Sequence, residues 1–294
     1  MTEFDDHKSG KGAGDENFPV ASRLIAPALR APILAYYRFA RSADDAADHP
    51  QLSQSEKFRR LDALEETLVG KSDAASDALP LRQAIAERGL SPRHALDLLV
   101  AFRQDVTKSR YASWDELMHY CRYSAAPVGR FVLDAHGESA ATYPYSDALC
   151  TALQVINHIQ DCGKDYRTID RVYMPLDMLA VEGASVDMLG AKAAKPELLR
   201  ALRNVAGKTN AMTGDAQRLP AVVADRRLGL ETSVIAGLAG RLLDLLAVRD
   251  PLSQNVHFSK PAALAVAMKS AISYSFSRAF AGKFTPSFSV GGDR

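Results

Sequence analysis

Apolar residues recur along most of the chain at spacings of three and four, which is typical of amphipathic helices. One example is the set Phe58, Leu61, Leu64 and Leu68, which follows this spacing. Gly70 is the predicted stop of that helix. No segment shows the persuasive alternation of apolar and polar residues that indicates a strand. Because no linker or internal repeat divides these helical segments, the pattern predicts a single all-α domain.

Start and stop signals place the predicted helices along the chain. Ser53 or Ser55 can cap one helix, Ser91-Pro92 opens another, and Ser113 with Glu116 has the spacing of a capping box. The predicted helices cover about residues 32–47, 53–69, 113–135, 146–166, 196–219, 227–248 and 261–280, with one more beginning at Ser91 and a short helical piece after Pro175.

The two ends of the chain are more polar than its middle. Residues 1–16 are rich in Gly and charged residues, and such a composition cannot bury enough apolar surface to become ordered. We therefore predict a flexible N-terminal arm at 1–16, one helical domain at 17–282 and a flexible tail at 283–294.

Charge and cysteine content narrow the classes of function. Lys plus Arg (36) nearly equals Asp plus Glu (35), so no overall field favours a nucleic-acid partner. Three cysteines without a CxxC pair indicate reduced thiols. The N-terminus lacks the features of a signal peptide, which makes a cytoplasmic location the expectation. The most apolar windows, 228–248 and 262–280, contain charges and predict no membrane span, which leaves peripheral contact with the inner membrane open.

Three carboxylates lie within five residues near the end of the first predicted helix. Asp44 and Asp48 share one helix face, and Asp45 lies beside them. Their mutual repulsion must be relieved by a cation or a basic group if they are not fully solvated. Taken alone, this cluster is better explained as a solvated acidic helix end, and a second cluster changes that interpretation.

A polar stripe follows one face of the predicted helix over 146–166, which is otherwise apolar. It consists of Gln154, Asn157, Asp161 and Asp165. Two acidic clusters that face each other would bind Mg²⁺, which favours a few carboxylates together with phosphate oxygens of a substrate. Basic residues beside the acids would hold the anionic leaving group, and these are Arg41, Lys164, Arg167 and Arg171. The sequence therefore predicts a Mg²⁺-dependent diphosphate site.

These segments resemble the motifs of the squalene/phytoene synthase family, the head-to-head trans-isoprenyl diphosphate synthases. Residues 37–48 are similar to the first aspartate-rich motif, 120–129 to a Tyr-Cys…Val-Gly signature, and 154–165 to the second aspartate-rich motif, which 171–175 follows. The resemblance covers about residues 17–270. It implies the all-α isoprenoid-synthase fold, a helical bundle around a central cavity with Mg²⁺ at its mouth.

The resemblance also implies roles for particular residues. Metal ligation falls to Asp44, Asp45, Asp48, Asn157, Asp161 and Asp165. Catalytic roles fall to Asp44, Asp48, Asp161, Asp165, Tyr37 and Tyr120. Substrate binding falls to Asn17, Phe18, Arg41, Tyr120, Gln154, Asn157, Lys164, Arg171 and Tyr173. Aromatic faces can stabilise a carbocation, and the candidates for this role are Tyr37, Tyr120, Tyr123 and Phe131.

Departures from the family pattern point to one branch of it. Lys164 stands where an acidic residue is usual, and Gln160 where a basic residue is usual. With the surrounding motifs, these residues resemble the bacterial hopanoid-pathway branch that ionises presqualene diphosphate and captures the cation with water to give hydroxysqualene. The Gly-rich run at 10–14 follows no predicted strand and so does not indicate a nicotinamide site, which favours water over hydride.

Two other functions stay open. One is condensation of two prenyl diphosphates to presqualene diphosphate, squalene or phytoene. The other is a non-catalytic helical subunit that assembles with a working synthase. The expected partners are a prenyl diphosphate substrate and neighbouring enzymes of squalene synthesis. For Asp105 and Tyr111, capping or packing is at least as good an explanation as catalysis, and for His158 an ordinary polar or core role is expected.

Overall fold

The computed structural model describes residues 24–281, and this part of the chain is built from α-helices. The helices are α1 Pro27–Asp48, α2 Gln54–Leu68, α3 Leu79–Arg88, α4 Arg93–Thr107, α5 Trp114–Ser124, α6 Ala126–Ala135, α7 Tyr143–Ile169, α8 Leu176–Val181, α9 Pro196–Ala216, α10 Leu219–Val222, α11 Arg226–Val248 and α12 Lys260–Ala281. Short 3-10 helices cover Ser76–Ala78, Ala140–Thr142 and Val186–Gly190. The all-α prediction is confirmed.

Several parts of the sequence-based predictions fall outside the described range. The arm at 1–16, the tail at 283–294 and the predicted substrate contacts Asn17 and Phe18 all lie there. Within residues 24–281, β-structure is limited to one parallel bridge between Arg110 and Val172. This bridge joins the segment between α4 and α5 to the segment that follows α7.

The caps at Ser53 and Ser113 act as the sequence predicts, whereas α4 begins at Arg93 with Pro92, rather than Ser91, in the cap position. The hydroxyl of Ser53 accepts a hydrogen bond from the Glu56 amide (3.2 Å), and Ser113 accepts one from the Glu116 amide (3.3 Å). Each bond satisfies one amide of a first helical turn that has no partner within its own helix. Gly70, after α2, has a φ of +81°, a conformation that glycine adopts without a steric penalty.

The structure differs from the predicted helices in two places. The helix expected over 113–135 is divided into α5 and α6 at Ala125, because Pro127 in the first turn of α6 has no amide to continue the hydrogen-bond ladder. The helix α3 is missing from the sequence-based prediction. Only Leu81 among its ten residues is buried, so the segment lacks the apolar stripe on which such predictions depend.

The helices enclose two hydrophobic cores. The first is formed by α1, α2, α3 and α4 around residues such as Phe39, Leu61 and Leu99, with Phe131 of α6 added to it. The second lies between α5, α7, α9 and α11, with Ile156 near its centre. Arg171, in the segment that follows α7, contacts Asp48 at the end of α1.

Two glycines in the motif segments allow other elements to approach closely. A Cβ on Gly129 of α6 would overlap Ser146 Oγ and would lie 2.6 Å from Cys150 Sγ, both on α7. A Cβ on Gly163 of α7 would lie 2.5 Å from Leu252 Cδ2. Both glycines therefore fix the position of α7, which carries the second acidic cluster.

The last described helix, α12, packs along α11 at the outside of the bundle. Over residues 24–281, no helix is both long enough and apolar enough to cross a membrane. All three cysteines carry free thiols, as the sequence predicts.

Candidate active site

The structure brings the two acidic clusters to the same place. The first occupies the last turns of α1, and the second lies on the C-terminal half of α7. After α7 ends, the chain turns at Asp170, whose φ is +49°, and returns toward α1. There Arg171 Nη1 donates a hydrogen bond of 2.7 Å to Asp48 Oδ1, which joins the segment after the second cluster to the first cluster.

The carboxylates of α1 have basic partners within the protein. Arg41 Nη1 lies 3.0 Å from Asp44 Oδ2, and Arg41 Nε lies 3.4 Å from Asp45 Oδ1. Even so, burial, followed by repulsion from Asp48, raises the pKa of Asp44 to about 7, although Arg41 acts in the opposite direction. The first cluster thus holds negative charge that its own arginine does not fully balance.

The carboxylates of α7 differ in this respect. Across the described range, neither Asp161 nor Asp165 has a basic side chain within 4.0 Å. Burial, followed by repulsion from Asp161, raises the pKa of Asp165 to about 7, while Lys164 and Arg171 lower it. Asp48 of the first cluster also raises this pKa, so the two clusters are close enough to repel each other.

The residues present fit a divalent cation that is shared with a substrate. The donors are carboxylate oxygens, which Mg²⁺ prefers, and their raised pKa values show repulsion that a cation would relieve. Within residues 24–281, no three His, Cys, Asp or Glu side chains converge to form a complete metal site. Mg²⁺ is commonly held by one or two carboxylates with water and phosphate oxygens, so a site completed by a diphosphate matches this arrangement.

A buried hydrogen-bond network lies directly behind the first cluster and is centred on Asp105 of α4. Tyr120 Oη donates to Asp105 Oδ2 (2.7 Å), and Tyr173 Oη donates to Asp105 Oδ1 (3.2 Å). Arg171 Nη2 donates to the Asp105 carbonyl oxygen (2.9 Å) while its Nη1 contacts Asp48. The guanidinium therefore connects the buried network to the acidic end of α1.

Asp105 is a residue that sequence reasoning did not place in the site. Burial raises its pKa to about 6, against the lowering effect of Arg171 and the two tyrosine hydroxyls. Its position continues the buried stripe of α4 through Leu98 and Ala101. A carboxylate on the apolar face of a predicted helix was the signal that could have placed Asp105 in the site. Such a group needs polar partners from elsewhere in the fold.

His158 is the second residue that sequence reasoning left outside the site. Its ring stacks on Tyr173 with the centroids 3.6 Å apart, and its Nε2 lies 3.3 Å from Gln154 Nε2. Burial, followed by the nearby charge of Arg171, lowers its pKa to about 3, which keeps the imidazole neutral. Tyr111 belongs to the same aromatic group, and its ring centroid lies 5.4 Å from that of Tyr173.

The remaining predicted site residues differ in how exposed they are. Tyr37, Gln154 and Asn157 are partly exposed, and Lys164 is exposed on α7. Phe131, a candidate for carbocation stabilisation, is instead fully buried and stacks on Tyr36 at 4.1 Å in the first core.

Gln160 has a packing role. Its Nε2 donates a 3.0 Å hydrogen bond to the carbonyl oxygen of Val256, in the segment between α11 and α12. The side-chain amide thus connects α7 to that segment.

Comparisons with known proteins indicate the family of this chain. The model of the squalene/phytoene synthase family matches residues 12–262. A hydroxysqualene synthase of Rhodopseudomonas palustris is 53% identical over 96% of this chain and 97% of its own length. A hydroxysqualene synthase of Sinorhizobium fredii is 54% identical over 83% of this chain and 84% of its own length. Among solved structures, squalene synthase HpnC from Alicyclobacillus acidocaldarius superposes with a TM-score of 0.68 at 31% identity, over 76% of this chain and 85% of that chain.

Proposed function

The chain belongs to the squalene/phytoene synthase family, and on that premise we propose that it is a hydroxysqualene synthase. It ionises presqualene diphosphate with the help of Mg²⁺ and adds water to give hydroxysqualene and diphosphate. The observation that carries this choice of product is the similarity to a hydroxysqualene synthase, 53% identical over 96% of the chain. The function belongs to squalene and hopanoid biosynthesis.

The acidic clusters serve the first step, which is heterolysis of the carbon–oxygen bond to diphosphate. Asp44 and Asp48 on α1, with Asp161 and Asp165 on α7, would hold the cation, and Asp45 and Asn157 are further predicted ligands. When bound, Mg²⁺ supplies Lewis-acid stabilisation of the departing diphosphate. The juxtaposition of α1 and α7 through Arg171 and Asp48 supports this assignment.

Basic side chains at the rim would stabilise the diphosphate that leaves with the bonding electrons. Lys164 is exposed beside Asp165, and Arg41 lies 3.0 Å from Asp44 and 3.4 Å from Asp45. Arg171 is also a predicted phosphate contact. Its guanidinium already contacts Asp48 and Asp105, so it also holds Asp48 in position beside the diphosphate.

After ionisation, the cyclopropylcarbinyl cation rearranges and the oxygen of a water molecule bonds to the cationic carbon, with loss of one proton. Aromatic rings stabilise such cations through the negative potential of their faces. Tyr37 and Tyr120 are the proposed residues for this role. The Tyr120 hydroxyl is held by Asp105, and its ring lies 5.4 Å from that of Tyr173, so the network fixes the orientation of the ring.

Product analysis tests this function directly. Purified protein incubated with presqualene diphosphate and Mg²⁺, without a nicotinamide, should release hydroxysqualene and diphosphate, as shown by liquid chromatography with mass spectrometry. A parallel incubation with farnesyl diphosphate tests the condensation reaction. Presqualene diphosphate or a hydrocarbon formed in that second incubation, with no alcohol in the first, would establish condensation instead. No product in either incubation, with retained binding to a partner synthase, would point to a non-catalytic subunit.

A further inference from the structure

The helix α12 turns small and polar residues toward the bundle and its large apolar residues toward solvent, which is the opposite of an ordinary amphipathic helix. Small and polar residues face the bundle: a Cβ on Gly237 of α11 would overlap Ser270 Oγ, and one on Gly229 would overlap Tyr274 Oη. Ser233 Oγ on α11 also donates to the carbonyl oxygen of Ser270 (3.2 Å). The contact between α11 and α12 therefore depends on glycine, serine and tyrosine, with Val266 as an aliphatic neighbour of Gly237.

The large apolar side chains of α12 point away from the protein instead. Leu264, Met268, Ile272 and Phe276 are 60%, 53%, 57% and 63% exposed. A spacing of four residues places them on successive turns, so they form one row about 18 Å long at 1.5 Å per residue. We name these four side chains the outer row.

The outer row is unlike the other exposed apolar residues of the described chain. Those are valines that stand singly on other elements, namely Val69, Val100, Val181, Val222 and Val248. Single exposed apolar residues are common on protein surfaces, whereas a contiguous row of large ones marks a surface that another body covers.

The charges around the outer row favour an anionic surface. The sequence contains no Asp or Glu from residue 251 to residue 292. At about 100° per residue, Lys260 and Lys269 project on opposite sides of the row, and both are exposed. The third basic residue of α12, Arg278, donates to the Val223 carbonyl and thus remains against the bundle.

We propose that α12 is an interfacial helix that binds the surface of an anionic phospholipid membrane. It lies parallel to the bilayer, with the outer row at the boundary of headgroups and acyl chains and with Lys260 and Lys269 near lipid phosphates. A second copy of the chain is a poorer occupant, because antiparallel or parallel pairing of α12 would bring basic flanks together without acidic partners. This inference goes beyond the proposed function and does not depend on it.

Vesicle sedimentation tests the proposal with the full chain. Vesicles of phosphatidylcholine alone and of phosphatidylcholine mixed with phosphatidylglycerol are compared at low salt. Wild-type protein should sediment with the anionic vesicles. A variant with Leu264→Ser, Met268→Ser, Ile272→Ser and Phe276→Ser should lose about tenfold or more in partitioning, since binding scales with the buried apolar area. The double variant Lys260→Gln, Lys269→Gln should bind more weakly to anionic vesicles only.

Matched controls show whether the outer row itself binds the vesicles. The variant Val181→Ser, Val248→Ser removes two exposed apolar side chains from other helices and should bind vesicles like wild type. Circular dichroism checks that each variant remains folded. Equal binding of the outer-row variant and wild type would overturn the proposal. The sequence after α12 contains two further large apolar residues, Phe284 and Phe288. Loss of binding in the variant Phe284→Ser, Phe288→Ser, with binding retained in the outer-row variant, would also overturn the proposal. So would a dimer, detected by gel filtration with light scattering, that the outer-row substitutions abolish, if wild-type protein does not bind vesicles.

Discussion

The acidic clusters of α1 and α7 differ in how their charge is balanced. On α1, Asp44 and Asp45 lie within 4 Å of Arg41, and Asp48 is hydrogen-bonded to Arg171. On α7, neither Asp161 nor Asp165 has such a partner among residues 24–281. On α1, the ion pair of Asp48 with Arg171 joins two elements of the fold. We therefore expect Asp48 to contribute to stability as well as to cation binding, and Asp161 and Asp165 to contribute to cation binding alone. Substitutions on the two helices should separate stability from chemistry.

The largest effect on stability should come from Arg171→Met. This change removes the guanidinium that joins Asp48 to Asp105 and leaves a buried carboxylate without its positive partner. Breaking a buried ion pair by removing one partner costs about 3–5 kcal/mol in the free energy of unfolding. Urea unfolding followed by circular dichroism measures the loss.

The neighbouring surface arginine is the control for this variant. Arg110 pairs with the exposed carboxylate of Asp170 in the same region, so Arg110→Met should cost less than about 1 kcal/mol. If both variants unfold at the same urea concentration as wild type, the contacts of Arg171 with Asp48 and Asp105 do not stabilise the fold.

The next largest effect is a loss of turnover, without a loss of stability, on substitution of the α7 carboxylates. Asp161→Asn and Asp165→Asn should each lower turnover by about 100-fold or more, because each removes an electrostatic contribution to departure of the diphosphate. Their free energy of unfolding should be unchanged or higher, since repulsion between Asp161 and Asp165 is removed. Steady-state kinetics and urea unfolding of the same preparations provide both values.

Asp48→Asn provides the contrast on α1. This variant should lose stability, because Arg171 no longer has the charged partner Asp48. It should also lose turnover, because Asp48 is a proposed ligand of the cation. A loss of stability in the α7 variants equal to that of Asp48→Asn would show that the two clusters do not differ as described.

A smaller effect is expected from Tyr120→Phe. The Tyr120 hydroxyl donates to the buried Asp105 carboxylate, and its removal should cost about 1–3 kcal/mol of unfolding free energy. Tyr123→Phe is the matched control on the same helix, since its hydroxyl makes no hydrogen bond within the described residues. Equal unfolding midpoints for the two variants would contradict a structural role for the network.

The smallest effect is a pH dependence of metal binding. Asp44 and Asp165 have pKa values raised to about 7 from 3.8, so the folded protein binds more protons than the unfolded chain between these values. Stability contributed by these groups is therefore fully present below about pH 4 and is lost as the pH rises through 7. Because Mg²⁺ competes with these protons, its effect on the melting temperature should be larger at about pH 8 than at about pH 6.

Differential scanning fluorimetry with and without Mg²⁺ measures this dependence. Ca²⁺-free buffers and a chelator blank define the metal-free baseline. In Asp165→Asn, which cannot take up the proton, the difference between the two pH values should shrink. A Mg²⁺ effect that is independent of pH in wild type would show that protons and metal do not share these carboxylates.

The sequence was sufficient for features that depend on local pattern. Ser53 and Gly70 bound α2 as predicted, and the polar stripe of α7 follows directly from helical spacing. It was insufficient for Asp105, because the partners of this carboxylate come from α5 and from the segment after α7, which only the tertiary fold brings together. Likewise, the spacing of the outer row of α12 is that of an ordinary buried stripe. Its exposure follows from the packing of the opposite face of α12 against the glycines of α11, which the sequence alone does not show.

Oxygen labelling of the product tests the central claim most directly. Presqualene diphosphate and Mg²⁺ are incubated with wild-type protein in heavy-oxygen water, without a nicotinamide, and the product is examined by mass spectrometry. Capture of the cation by solvent predicts hydroxysqualene that carries the heavy isotope in its hydroxyl group, and Asp161→Asn should form very little of it. A product without the heavy isotope, or a hydrocarbon in place of the alcohol, would contradict ionisation followed by water capture.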